Sequence, residues 1–194
     1  MKRLFLALAA FLAVMPVAHA ADMALKSPAL AAPATPMFSG FYVGGHGGWA
    51  TGTIDPISVD ADGFVYGGHA GFQVQKGWLV GGLEAAITNY SNVKASNFNI
   101  GCDCIVADLL AKVGVTVTSN TLLYITGGGF WHNASSFGVI PEFGWSVGGG
   151  LDWMPFNDHL VIGARYLYRD LGGTNLSPIQ VTGHELTGRV SYKF

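Results

Sequence analysis

Residues 184–194, the last of the chain, read HELTGRVSYKF. Counting back from Phe194, the residues Tyr192, Val190, Gly188 and Leu186 take every second place. Lys193, Ser191, Arg189, Thr187 and Glu185 fill the places between. A period of two is that of a β-strand, whose successive side chains point to opposite faces. One face here is apolar and ends in two aromatics; the other is polar and charged. The run also suits a strand tilted across a bilayer, which takes about 9–11 residues.

The same alternation recurs upstream. In LLYITGGGFW (122–131), Leu123, Ile125, Gly127, Gly129 and Trp131 share a face. In WSVGGGLDW (145–153), Trp145, Val147, Leu151 and Trp153 oppose Ser146, Gly148, Gly150 and Asp152. In LVIGARYLYRD (160–170), Leu160, Ile162, Ala164, Tyr166 and Tyr168 point one way, and Arg165 and Arg169 the other. Trp145 and Trp153 stand at opposite ends of one strand, where the aromatic girdles of a membrane barrel belong. Read this way from Gly40 onward, strands fall near 41–51, 64–75, 77–90, 105–117, 121–132, 143–154, 159–170 and 184–194. They are longer than the five or six residues usual in globular sheets.

The connectors alternate in size. Those at Gln75–Gly77, Thr118–Asn120 and Pro155–Asp158 are tight, whereas 52–63, 91–104, 133–142 and 171–183 are long and polar. Short turns at one end and long loops at the other are the transmembrane-barrel arrangement. The expected fold is therefore all-β, an eight-stranded antiparallel up-and-down transmembrane barrel over 40–194. An even strand count places both chain ends on the short-turn, periplasmic side.

The first twenty residues have the form of a secretory signal peptide. Lys2 and Arg3 precede the apolar LFLALAAFLAVM, Pro16 breaks it, and Ala18-His19-Ala20 forms a small-residue cleavage site. That apolar run is shorter than the ~20 residues of a spanning helix. Cleavage is expected after Ala20. Residues 21–39, with Pro28, Pro33 and Pro36 among alanines, read as an extended periplasmic linker. Nothing after the leader is an uninterrupted apolar run long enough for a membrane helix, so a membrane protein built from this chain must be a closed barrel.

Composition agrees. Charged residues are 11% of the chain, against roughly 25% in ordinary soluble domains. A formal net charge of −2 leaves no basic footprint for nucleic acid. The charges fall opposite the apolar faces: Glu84, Asp108, Asp152 and Glu185 against Lys112, Arg165, Arg169, Arg189 and Lys193. A lysine or arginine turned to lipid costs roughly 2–4 kcal/mol at the midplane. Turned inward, these groups can pair, and eight strands enclose a space just wide enough for side chains to fill. A lumen filled by ion pairs is the expectation. A polar conduit is the rival, although open aqueous channels take sixteen or more strands.

Two further groups stand out. His46 in GGHGGW and His69 in GGHAGF both face inward on neighbouring strands, and Glu84 follows on the third. A hairpin symmetric about residues 57 and 58 would set His46 opposite His69. Paired imidazoles with a carboxylate can bind a metal or haem iron; a hydrogen-bonded layer among glycines is the plainer reading, and no cofactor is assigned. Cys102 and Cys104 form GCDC in the second long connector. Export favours oxidation, but an i,i+2 bridge closes a small strained ring, leaving a labile disulfide and an intermolecular link both open.

MFSGFYVGGHGGWA (37–50), AKVGVTVTSNTLLYITGGGFW (111–131), ARYLYRDLGG (164–173) and the terminal VSYKF resemble the small outer-membrane β-barrel proteins of alphaproteobacteria. That porin-like family includes surface antigens and some haemin-binding members, and the resemblance runs from about Ala21 to Phe194. It implies eight strands, contact with outer-membrane lipids and lipopolysaccharide, and assembly by the barrel-insertion machinery. The terminal Tyr192 and Phe194 resemble the signal that machinery reads. The family usually carries Arg where Lys112 stands and an acid where Arg165 stands, so the lumen charge pattern departs from it.

The functional expectation is an integral protein of the Gram-negative outer membrane with a structural or surface-interaction role, not an enzyme. Its long outer loops would meet an unidentified surface ligand. Against it stand a narrow channel or haem- or metal-binding barrel, a lipid-modifying or proteolytic barrel, and a soluble lipocalin-like barrel. The last requires apolar residues inside and polar ones outside.

Overall fold

The computed structural model describes residues 37–55, 59–95, 98–99, 104–133, 142–156, 159–171 and 180–194. The signal peptide and most of the proposed linker lie outside these residues, as does Cys102. Nine strands are described: β1 Gly40–Asp55, β2 Val59–Lys76, β3 Leu79–Ala95, β4 Phe98–Asn99, β5 Cys104–Thr118, β6 Thr121–Asn133, β7 Glu142–Trp153, β8 Leu160–Leu171 and β9 Gln180–Lys193. There is no helix among the described residues.

Eight of the strands pair antiparallel with their neighbours in chain order, and β1 pairs with both β2 and β9. The two-residue β4 only folds back onto the end of β3. The sheet is thus closed into an eight-stranded barrel and has no free edge, which is what a lipid environment demands of β-structure. The last strand closes the ring through a ladder that runs from Tyr42↔Lys193 to Asp55↔Gln180. Beyond it, the Phe194 amide donates to the Phe41 carbonyl at 2.8 Å.

The faces sort as the alternation predicts. Leu83, Ile87, Leu109, Ile125, Leu186 and Val190 are all more than half exposed on the outside. Trp49, Trp131, Trp145 and Trp153 are also outward, the last three near strand ends, and Trp78 is exposed between β2 and β3. Among the residues whose exposure is described, the exposed charges are Asp62 and Lys76, both near strand ends. This inside-out polarity removes the lipocalin-like alternative, whose apolar residues would line the interior.

Several boundaries differ from the sequence reading, β9 for one starting at Gln180 and not at 184. The connector expected over 52–63 is mostly ladder: Thr51↔Asp62, Gly52↔Ala61, Thr53↔Asp60 and Ile54↔Val59 are paired. β3 likewise continues to Ala95. These segments are polar, with acids at every second place of VDAD (59–62), but a ladder needs only backbone groups, so pairing runs on past the apolar band. At the other end, Met37, Phe38 and Ser39 belong to the base of the barrel and not to a linker. Phe38 is fully buried against Val80, Leu122, Met154 and Val161, a burial worth roughly 1.5–3 kcal/mol. Its amide donates to Gln75 Oε1 at 2.9 Å, and the Gln75 amide donates to Ser39 Oγ at 2.9 Å.

The β2–β3 turn is two residues, Gly77 and Trp78, between the paired Lys76 and Leu79. Gly77 has φ +63, the left-handed value that tight hairpin turns require at their first central position.

Candidate functional site: the layered lumen

The site is the barrel interior, built by the inward positions of eight strands. Like Lys193, which is 7% exposed, the other eight charged residues assigned inward from the sequence, Glu84, Asp108, Lys112, Asp152, Arg165, Arg169, Glu185 and Arg189, are only 1–7% exposed. They fall into two groups.

The lower group centres on Glu84 of β3. Its Oε1 accepts from Arg165 Nη1 of β8 at 2.6 Å. Its Oε2 accepts from Arg189 Nη2 of β9 at 2.6 Å and from the Tyr42 hydroxyl of β1 at 2.8 Å. Lys112 of β5 donates to Asp152 Oδ2 of β7 at 3.1 Å and lies 3.9 Å from Glu84 Oε2. Its ammonium sits over the Tyr124 and Tyr42 rings, 4.3 and 5.0 Å from their centroids. Three cations thus meet two carboxylates, and the strands that supply them lie on opposite sides of the barrel.

The upper group centres on Arg169 of β8. Its guanidinium donates to both oxygens of Asp108 on β5. It also donates twice to Glu185 Oε2 of β9, at 3.1 and 2.9 Å. The Tyr90 hydroxyl donates to the same oxygen at 2.8 Å, and Phe130 lies beneath the guanidinium at 5.2 Å. The fork geometry of arginine lets one side chain hold two carboxylates on different strands.

Lys193 takes no part in either group. Its ammonium donates to the Ser39 carbonyl at 3.3 Å and so ties the last strand to the base.

The histidine reading is altered by the register. β1 and β2 pair His46↔Gly67 and Gly44↔His69, not His46 with His69 as a hairpin centred on 57 and 58 would give. The two rings nevertheless meet, with Nδ1 atoms 3.2 Å apart. Each histidine faces a glycine, so the imidazoles can lean diagonally into the space the glycines leave. A Cβ at Gly67 would press on His46 Nε2 at 2.9 Å, and one at Gly44 on Ser191 Oγ at 2.7 Å. His46 Nε2 is bonded to Thr88 Oγ1 at 3.0 Å and His69 Nε2 to Ser191 Oγ at 2.7 Å. An Nδ1–Nδ1 contact needs one protonated and one bare nitrogen.

Glu84 does not join the pair, because Arg165, Arg189 and Tyr42 occupy its oxygens. Among the described residues no cluster of three or more His, Cys, Asp or Glu could hold a metal ion. Cys104, half-buried at the start of β5, is disulfide-bonded.

Sequence reasoning missed the hydroxyl partners Tyr42, Tyr90, Thr88 and Ser191, although strand parity alone turns each of them inward. It also missed Phe38, because nothing local marks a residue before the first strand as a plug. Tyr192 and Phe194 face outward, 50% and 69% exposed, with rings edge to face at 5.1 Å. Tyr192 also stacks on His159, centroids 5.4 Å apart.

With this geometry in view, comparison with known proteins is informative. None of the curated proteins matches the chain. Among solved structures, Neisserial surface protein A (NspA) is 21% identical, covering 80% of this chain and 98% of its own, with a TM-score of 0.58. Ail, the attachment invasion locus protein of Yersinia pestis, is 21% identical over 80% of this chain and 99% of its own, TM-score 0.47. A de novo designed transmembrane β-barrel is 12% identical over 80% and 99%, TM-score 0.40. At such identity the likeness to NspA is one of fold. The profile of the outer membrane protein beta-barrel domain matches residues 5–194, and the chain therefore belongs to that family and is an integral protein of the Gram-negative outer membrane.

Proposed function

We propose that the protein is a closed, non-conducting and non-enzymatic barrel that displays its long connections at the cell surface. The observation that carries this reading is the double crossing of the lumen, by Glu84 with Arg165 and Arg189 and by Arg169 with Asp108 and Glu185. Such groups crossing the bore oppose a continuous water path, and Phe38 with its apolar neighbours caps the short-turn end. In this reading that end faces the periplasm, the signal peptide is removed after Ala20, and the remaining Pro/Ala segment is periplasmic. The outer face meets lipid and lipopolysaccharide, and Tyr192 and Phe194 address the chain to the barrel-insertion machinery. Resemblance to small alphaproteobacterial barrels and a fold shared with a Neisserial surface protein fit the same role, with recognition carried by loops on a rigid scaffold.

The test combines outer-membrane fractionation with single-channel recording in planar bilayers. The folded, heat-modifiable protein is expected to give no unitary conductance. A steady open level for the wild-type chain would overturn the closed-barrel reading in favour of a narrow channel.

A further inference from the structure

Above the Arg169 group, at the long-connection end, the interior widens into a cavity of about 270 Å³. One wall is nearly bare sheet, because inward places on β1, β2 and β9 hold Ala50, Gly52, Ala61, Gly63 and Gly183. The apolar part of the lining is Val106, Phe130, Leu171 and Val181, and Cys104 and His132 stand beside it. The floor is Arg169, Tyr90 and Glu185. Their hydrogen bonds are made with one another and with Asp108, and Glu185 Oε1 is left buried without a partner. Counting Asp108, to which Arg169 is bound, the floor group sets one cation against two carboxylates, and its balance disfavours an anionic guest.

We propose that this cup is a binding site for a small uncharged aromatic molecule of two-ring size. The volume is nearly twice the ~150 Å³ of an engineered apolar cavity that admits benzene. A flat wall of glycine and alanine suits a planar ring. Phe130 and Tyr90 supply the aromatic contacts that a planar guest prefers over an aliphatic one. The site goes beyond the closed-barrel reading. Binding in it is measured without reference to conductance, so either can fail alone.

The probe is indole, titrated into the folded full-length protein in lipid nanodiscs, with valine and leucine methyl resonances observed. Saturable shifts confined to Val106, Leu171 and Val181 are expected. Gly183→Leu fills the cup: a Cβ there meets only the Thr51 carbonyl, at an ordinary 3.5 Å. It should weaken binding at least tenfold while heat-modifiable mobility is kept. Ala61→Leu, on another strand of the same wall, is the second variant should the first not fold. Non-saturating shifts spread over outward methyls such as Leu83 and Leu109 would overturn the site, as would equal affinity in a folded filled variant. Tighter binding of the carboxylated analogue, indole-3-acetate, would overturn the ligand class.

Discussion

Glu84 Oε1 and Arg165 Nη1 lie 2.6 Å apart although β3 and β8 share no ladder. The bond therefore spans the lumen. Glu84 also takes Arg189, so one carboxylate holds two guanidinium groups out of water. Removing one member of such a group leaves a buried charge unpaired, which costs roughly 3–5 kcal/mol. Glu84→Gln is expected to lower stability by about that amount in urea unfolding followed by tryptophan fluorescence. A loss of less than about 1 kcal/mol, the scale of an exposed pair, would show that the layer is not what ties the two sides together.

Gly45 and Gly48 sit on the same strand and give opposite expectations. A Cβ at Gly48 would collide with the Leu186 carbonyl of β9, whereas at Gly45 its nearest neighbour is the Gly67 carbonyl at 3.6 Å. Gly45→Ala should fold as wild type. Gly48→Ala should reduce the fraction that shows the compact, unboiled gel mobility. Equal folding of the two would mean that the β1–β9 approach is not close.

Phe38 seals the short-turn end from a position before the first strand. Phe38→Ala removes a fully buried ring, and such changes cost roughly 3–5 kcal/mol. The lowered midpoint should be accompanied by faster proteolysis ahead of Gly40, since the buried Phe38 ring anchors that segment and leaves only its hydrogen bonds with Gln75 and Lys193 when removed. Unchanged cleavage would place the anchor elsewhere.

The histidine pair makes a prediction by what it lacks. With Glu84 committed to arginines, His46 and His69 offer two nitrogens, and among the described residues no third ligand joins them. A His46→Ala, His69→Ala variant is expected to match wild type in zinc and haemin titrations. A folded wild-type protein that loses a stoichiometric site in this variant would restore the ligand role.

Deletion of Phe194 tests the terminal aromatic. Its side chain is 69% exposed and contributes little to the interior. The expected outcome is slowed insertion by the assembly machinery in reconstituted liposomes, with an unfolding midpoint close to wild type. Normal insertion would remove the assembly role.

Much of this barrel was legible locally. Alternation in residues 145–153 or 184–194 assigns each side chain a face without knowledge of any partner strand, because pleating is a property of one strand. Charge parity did the same for Glu84, Arg165 and Arg169, whose burial follows from the cost of turning a charge to lipid. The strand ends were not legible: Thr51–Ile54 pair with Val59–Asp62 in a backbone ladder, which needs no apolar stripe to mark it.

The sequence by itself determined the inside and outside of every strand, the class of fold and the membrane it suits, since each depends on local period and on solvent. Only the tertiary structure decided who meets whom. Register set His46 against Gly67 rather than His69, and barrel closure brought Glu84 to Arg165. It also folded Phe38 back into the base and left a cup above Arg169. Such contacts join residues distant in sequence across a shared interior, and a single strand carries no record of its distance to the far wall.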